Sequence, residues 1–169
     1  IDYNEFVELI NELAKNNSTT GEQKTEALIN YTMLNQRRFK RWNKTLKVSE
    51  EVKNEVEKYS KKVTWLVLTE SWCGDAAHVM PAMNKVAELN GNIDIKVVMR
   101  DEHEELMDAF LTNGNRSIPK VIMLDNVFGE VINSFGPRPS DATKLVNDYK
   151  LKHGKLTPEF KEDLQRWYN

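Results

Sequence analysis

Cys73 is the only cysteine in a chain of 169 residues, and it stands in the stretch Glu70-Ser71-Trp72-Cys73-Gly74-Asp75-Ala76. A lone sulfur excludes an intramolecular disulfide and a multi-cysteine metal site. What remains is the chemistry of a thiolate, which attacks disulfides and electrophiles. The residues before it, Val63 to Thr69, form a β-rich run without Gly or Pro, and those after it read as a helix. Such a thiol sits at a helix N-terminus, where unpaired N–H groups and the dipole favour an anion. Gly74 lets other backbone come close. Asp75 suits a first helical turn but opposes a neighbouring thiolate, so spacing alone leaves the ionisation of Cys73 open. The other reading of a lone cysteine is a small buried hydrophobe.

The remaining candidates carry less. Glu70, three residues before Cys73, is either a proton acceptor or an exposed loop carboxylate, and the loop reading is favoured. His78 lies roughly 140° around a helix from Cys73, which argues against a Cys–His pair. His103 opens the next helix and reads as solvated, and His153 falls near a helix end. These histidines have no metal-ligand spacing, so no metal is expected. No cofactor is expected either, since the chain has no phosphate loop and no G-x-S-x-G or H-E-x-x-H pattern. Arg37, Arg38, Lys40, Arg41, Lys44 and Lys47 interleave with Phe39 and Trp42. This run reads as a solvated helix face whose aromatics dock inward, in preference to a nucleic-acid patch. The six methionines read as packing.

Three helices must lead into this site. Phe6, Leu9, Ile10 and Leu13 predict a helix over 2–15, Leu28, Tyr31 and Leu34 a second over 22–43, and Val52, Val56 and Tyr59 a third behind an N-cap at Ser49. Beyond Val63 the pattern predicts strands at 63–69, 93–99, 119–124 and 130–135. Helices are expected at 73–90, with Pro81 inside, at 102–111, from a Ser140–Asp141 cap to 152, and from Thr157-Pro158 onward. A strand–helix–strand unit makes the first two strands parallel, and the close last two form an antiparallel hairpin. The result is an α/β mixed four-stranded sheet with helices on both faces. The division read from this pattern is a helical extension over 1–62, a sheet domain over 63–152, and a C-terminal helix over 153–169.

Composition closes other routes. The chain carries 24 Lys+Arg against 26 Asp+Glu, a net charge of −2. That gives no general pull toward nucleic acid or an anionic membrane. No apolar run approaches a membrane span or a signal peptide. A cytoplasmic protein without nucleic-acid or membrane partners is the expectation.

The stretch from about Val63 to Lys152 resembles the thioredoxin family. Trp72-Cys73-Gly74 matches its W-C-G, Pro81 its helix-kinking proline, and Ile118-Pro119 its Ile-Pro with a cis proline facing the cysteine. Gly136 matches the glycine that closes the peptide groove. The resemblance implies a thioredoxin-like fold with Cys73 as nucleophile. It also implies a groove lined by Trp72, Gly74, Asp75, Ile118, Pro119 and Gly136. Three departures matter. Ala76 occupies the place of the second cysteine, Val67 that of the family's buried acid, and Asp75 that of the usual proline. W-C-G-D variants followed by Cys or Ala look like a bacterial thioredoxin-like branch.

Two functions follow as expectations. One is a single-thiol exchange reaction, in which Cys73 forms a mixed disulfide with a protein or with a small thiol such as glutathione, and a second thiol resolves it. The other is a redox-silent module that holds an extended peptide at the Ile118–Pro119 edge.

Overall fold

A computed structural model describes residues 1–169. The chain divides into two compact units, Ile1–Pro137 and Arg138–Asn169. The sequence pattern draws its corresponding boundaries at 62 and 152.

The first unit begins with α1 (Tyr3–Lys15). Asp2 caps it with a reciprocal pair of bonds to Glu5, the two-way cap in which side chain and backbone exchange partners. Helix α2 (Glu26–Thr45) starts behind a Thr25 cap. Tyr3, Phe6 and Ile10 of α1 bury against Phe39 of α2, with Phe6 and Phe39 meeting edge to face. The basic run from Arg37 to Lys44 therefore lies on α2, with Phe39 turned inward and Lys47 beyond the helix end. Trp42 also points in, and its indole N–H donates to His78 Nδ1 at 3.0 Å. Helix α3 (Glu50–Glu57) follows its Ser49 cap and buries none of its residues.

Four strands then build one sheet in the order β2-β1-β3-β4. Strand β1 (Val63–Thr69) lies inside it, parallel to β2 (Ile93–Met99) and antiparallel to β3 (Lys120–Asp125), which pairs antiparallel with β4 (Val131–Phe135). At the β2 edge the Val97 amide donates to the Ile1 carbonyl at 2.8 Å, so the first residues cover that edge. Helix α4 (Ala76–Ala87) follows β1, and α5 (Glu104–Ala109) follows β2 after a short turn over Arg100–Glu102. No helix is long and apolar enough to cross a membrane.

The second unit holds α6 (Ser140–His153) and α7 (Pro158–Trp167). Ala142, Val146 and Leu164 form its small core, with Leu156, Phe160 and Tyr168 packed around them. Thr157 caps α7 ahead of Pro158, as the Thr-Pro signal predicts.

Several boundaries differ from the periodicity. Helix α4 begins at Ala76 and not at Cys73, because Glu70 to Cys73 close a turn in which the Cys73 amide donates to the Glu70 carbonyl at 3.0 Å. Helix α2 begins at Glu26 and not at 22, because Thr25 is extended and its hydroxyl accepts the Leu28 amide at 3.4 Å, starting the helix there. Pro139, not Ser140, is the residue before α6.

Candidate active site

Sheet register brings the site together. Thr69 ends β1 opposite Met99 of β2, so the loop after β1 lies beside Arg100–Glu102. Leu68 pairs with Lys120, which puts Ile118 and Pro119 next to the same loop. Val121 pairs with Phe135, which carries Gly136 to Pro119.

The Ile118–Pro119 peptide is cis. Cys73 Sγ lies 3.3 Å from the Ile118 carbonyl oxygen and donates its S–H there. Gly136 adopts φ +125, and a Cβ on it would stand 2.1 Å from the Pro119 carbonyl oxygen. Only glycine meets both demands. Cys73, Ile118, Pro119 and Gly136 thus converge. Gly74 and Asp75 continue the loop into α4, with Asp75 at its N-cap position. Trp72 turns its ring toward Arg100, whose guanidinium carbon is 5.1 Å from the ring centre.

The electrostatics of the sulfur depart from the helix-terminus argument. Burial pushes the Cys73 thiol up to about 12, and the Asp75 charge adds to this. The Ala76 amide, the Thr69 hydroxyl and the Asp75 amide pull the other way and are outweighed. Desolvation beats the dipole because Cys73 is enclosed by the core, with Ala76, Ala77 and Met80 in the same cluster. Val67 and Ala76, at the places of the buried acid and the second sulfur, are themselves buried and apolar.

Glu70 is not an exposed loop carboxylate. It is 1% exposed. One oxygen accepts the Asp101 amide at 2.9 Å, and the Thr20 hydroxyl also bonds the carboxyl; both favour the charged form and are outweighed. Burial, helped by the Asp101 charge, raises its pKa above the ordinary carboxyl value. The covering residue is Gly21, at φ +86: a Cβ there would stand 2.6 Å from Asp101 Oδ2 and 3.7 Å from Glu70 Oε2. His103 is exposed, as expected, and its Nδ1 is 3.0 Å from the Met99 carbonyl.

Sequence reasoning missed Ser71, the residue most heavily bonded in the loop. Its Oγ has Thr32 Oγ1 at 2.8 Å, the Thr20 amide at 3.0 Å, Thr19 Oγ1 at 3.1 Å and Thr20 Oγ1 at 3.2 Å. One hydroxyl offers one proton and two lone pairs, so at most three of these bonds form at once. The Ser71 amide donates to Thr20 Oγ1 at 2.8 Å, and its carbonyl accepts from Asn35 Nδ2 at 2.9 Å. Arg38 holds the Asn35 oxygen in turn at 2.9 Å. The signal was present as the polar break Asn-Asn-Ser-Thr-Thr-Gly over 16–21, which reads alone only as a loop.

Comparison with known proteins fits this geometry. A protein of unknown function from Pseudomonas aeruginosa superposes with a TM-score of 0.59 at 21% identity, over 70% of this chain and 75% of that one. An HIV epitope-scaffold protein superposes with a TM-score of 0.59 at 17% identity, over 85% of this chain and 81% of that one. At such identities these likenesses concern the fold. No curated protein matches the sequence. The family model described as thioredoxin matches residues 21–150, so it takes in α2 and α3 together with the sheet. With more than half of its length matched, the chain belongs to the thioredoxin family.

Proposed function

We propose that this protein carries out thiol–disulfide exchange through Cys73 alone, by way of a mixed disulfide. The observation that carries the reading is the 3.3 Å approach of Cys73 Sγ to the Ile118 carbonyl beside Pro119. It supports a nucleophile set against the edge where an extended substrate chain would lie. The thiol first loses its proton. The Cys73 thiolate then attacks one sulfur of a disulfide RS–SR′, forming the Cys73–SR bond as the RS–SR′ bond breaks. R′S⁻ leaves with the electron pair and takes up a proton. A second thiol R″SH, losing its proton, attacks the R sulfur and forms RS–SR″. Cys73 recovers its electron pair and a proton, so the protein gains and loses no electrons overall. With Ala76 at the place of the resolving sulfur, R″SH is a separate molecule, either a small thiol of the glutathione class or a cysteine of a partner protein. Trp72, Gly74, Asp75, Ile118, Pro119 and Gly136 frame the approach, and the protein works in the cytoplasm.

Intact mass after incubation with glutathione disulfide tests the reading. The expected product is one glutathione per chain, absent in Cys73→Ser. If Cys73 is alkylated by iodoacetamide under given conditions yet forms no adduct under those conditions, the exchange reaction is wrong. Insulin reduction with dithiothreitol should accelerate weakly or not at all, because no second sulfur releases the intermediate.

The raised thiol pKa and the occupied Ile118 carbonyl favour a second reading, a binding module in which Cys73 is silent. In that case Cys73→Ser keeps its peptide or protein partner in a pull-down. Loss of every partner in the variant counts against it.

A further inference from the structure

The exchange reading needs a thiolate, and the resting site holds a buried thiol. Cys73 is the last residue of the Glu70–Cys73 turn, which sets it against the core, and two residues open that turn. Glu70 is held by the Asp101 amide on one side and by the Thr20 hydroxyl on the other, with Gly21 leaving room that a Cβ would fill. Ser71 is fixed at its amide, hydroxyl and carbonyl, every time by the segment between α1 and α2 or by α2 itself. Thr19, Thr32 and Asn35 are as buried as the core, at 0–1% exposure. A solvent-facing loop does not need three buried polar side chains aimed at a single serine. Each must be bonded where it lies, because an unpaired buried hydroxyl or amide is costly. Thr20 also has a conformational role, since its hydroxyl is the acceptor for the Ser71 amide.

We propose that residues 19–21 with Thr32 and Asn35 form a strap that locks the Cys73 turn, and that release of this strap is what makes the thiol available. Thr20 and Asn35 are positioning residues: they touch neither sulfur nor substrate but set the turn that carries the sulfur. This rests on the exchange reading for its use, though the lock itself is a statement about the accessibility of Cys73. The strap is mostly short polar residues bonded through side chains. Freed, its groups find water as partners, so the release is a local opening and need not unfold the sheet.

The test follows Cys73 alkylation by iodoacetamide across pH in the full chain. Wild type is expected to react slowly at neutral pH and to rise steadily toward alkaline pH. Thr20→Val removes the acceptor of the Ser71 amide, a partner of its hydroxyl and the side-chain bond to Glu70, so it loosens both residues that open the turn. It should react about tenfold faster or more at neutral pH, with its profile displaced toward the ordinary thiol range. Thr20→Ser keeps the hydroxyl and should return the wild-type profile. Thr20→Val folded, as judged by circular dichroism, with an unchanged rate and profile overturns the lock.

Wild type alone gives a second measurement should that variant not fold. Under the lock, alkylation in urea below the unfolding transition proceeds with a weak urea dependence, as local opening does. A urea dependence as steep as that of global unfolding overturns it. Incubation of the same samples with glutathione disulfide separates the two ideas. Faster alkylation in Thr20→Val without an adduct keeps the lock and removes the exchange reaction. An adduct that forms equally fast in wild type and Thr20→Val keeps the reaction and removes the lock.

Discussion

On one side of the Cys73 turn stand Ile118, Pro119 and Gly136, which bring a carbonyl and bare backbone. On the other stand Thr19, Thr20, Thr32 and Asn35, which bring hydroxyls and an amide. The first wall comes from the sheet, through the register of β1, β3 and β4. The second comes from the helical segment that precedes it. They differ in how they fail. Backbone packed at contact distance admits no added atom, so the first wall resists substitution outright. Side-chain hydrogen bonds are replaced by bonds to water once a segment opens, at modest net cost, so under the proposed lock the second wall is the one that opens. The thiol meets the sheet side directly, whereas the helical side reaches it only through Ser71 and the turn, and under the proposed lock that side is the one released.

Gly136→Ala attacks the fixed wall and should have the largest effect. The new Cβ would meet the Pro119 carbonyl oxygen at 2.1 Å, against backbone that cannot rotate away, and φ +125 disfavours any side chain. A loss of about 3–5 kcal/mol is expected in urea denaturation. A loss under about 1 kcal/mol would mean that the wall yields, and the contrast between the two sides would fail.

Asn35→Ala attacks the releasable wall. It leaves the Ser71 carbonyl and the Arg38 guanidinium each short of one partner. The expected cost is about 2 kcal/mol, on the scale of one buried polar group left unpaired. The sharper readout is the comparison with Gly136→Ala. Asn35→Ala should speed Cys73 alkylation out of proportion to its stability loss, and Gly136→Ala should not. Equal ratios in the two variants would make both walls ordinary structure.

The same division separates what is legible in the sequence from what is not. Strands β1 and β2 stand at 63–69 and 93–99 as their β-branched runs predict, and α7 starts where Thr157-Pro158 places it. Short-range signals are enough for these. Cys73, Ile118, Pro119 and Gly136 were legible because the family resemblance supplied their meeting, which spacing alone would not. Glu70 and Ser71 were opaque for the converse reason. The partners of Ser71 lie 36 to 52 positions earlier in the chain and the amide bonded to Glu70 lies 31 positions later, and a Thr-Thr-Gly tract reads the same whether it faces water or a serine. The desolvation of Cys73 is likewise a tertiary effect. The helix-terminus argument counts dipoles and cannot count the core around the sulfur.

Glu70→Gln makes the smallest change and tests the releasable wall from beneath. Burial raises the Glu70 pKa, so the folded chain holds that proton to a higher pH than the unfolded chain does. As pH rises through the ordinary carboxyl range, the unfolded state ionises first, and the folded state loses relative stability until the raised pKa is passed. Below the ordinary value both states are protonated and the penalty is absent. Glutamine cannot ionise and keeps an oxygen for the Asp101 amide. The variant should therefore be more stable than wild type at pH 7 by about 1 kcal/mol, with the difference shrinking as pH falls toward about 4. Alkylation of Cys73 should slow in step, because a neutral group at position 70 suits the closed strap better. A variant that is less stable at pH 7 would mean that the charged carboxylate is the form that grips the Asp101 amide. Glu70 would then belong with the fixed wall, and the opening of the strap would have to begin at Ser71 alone.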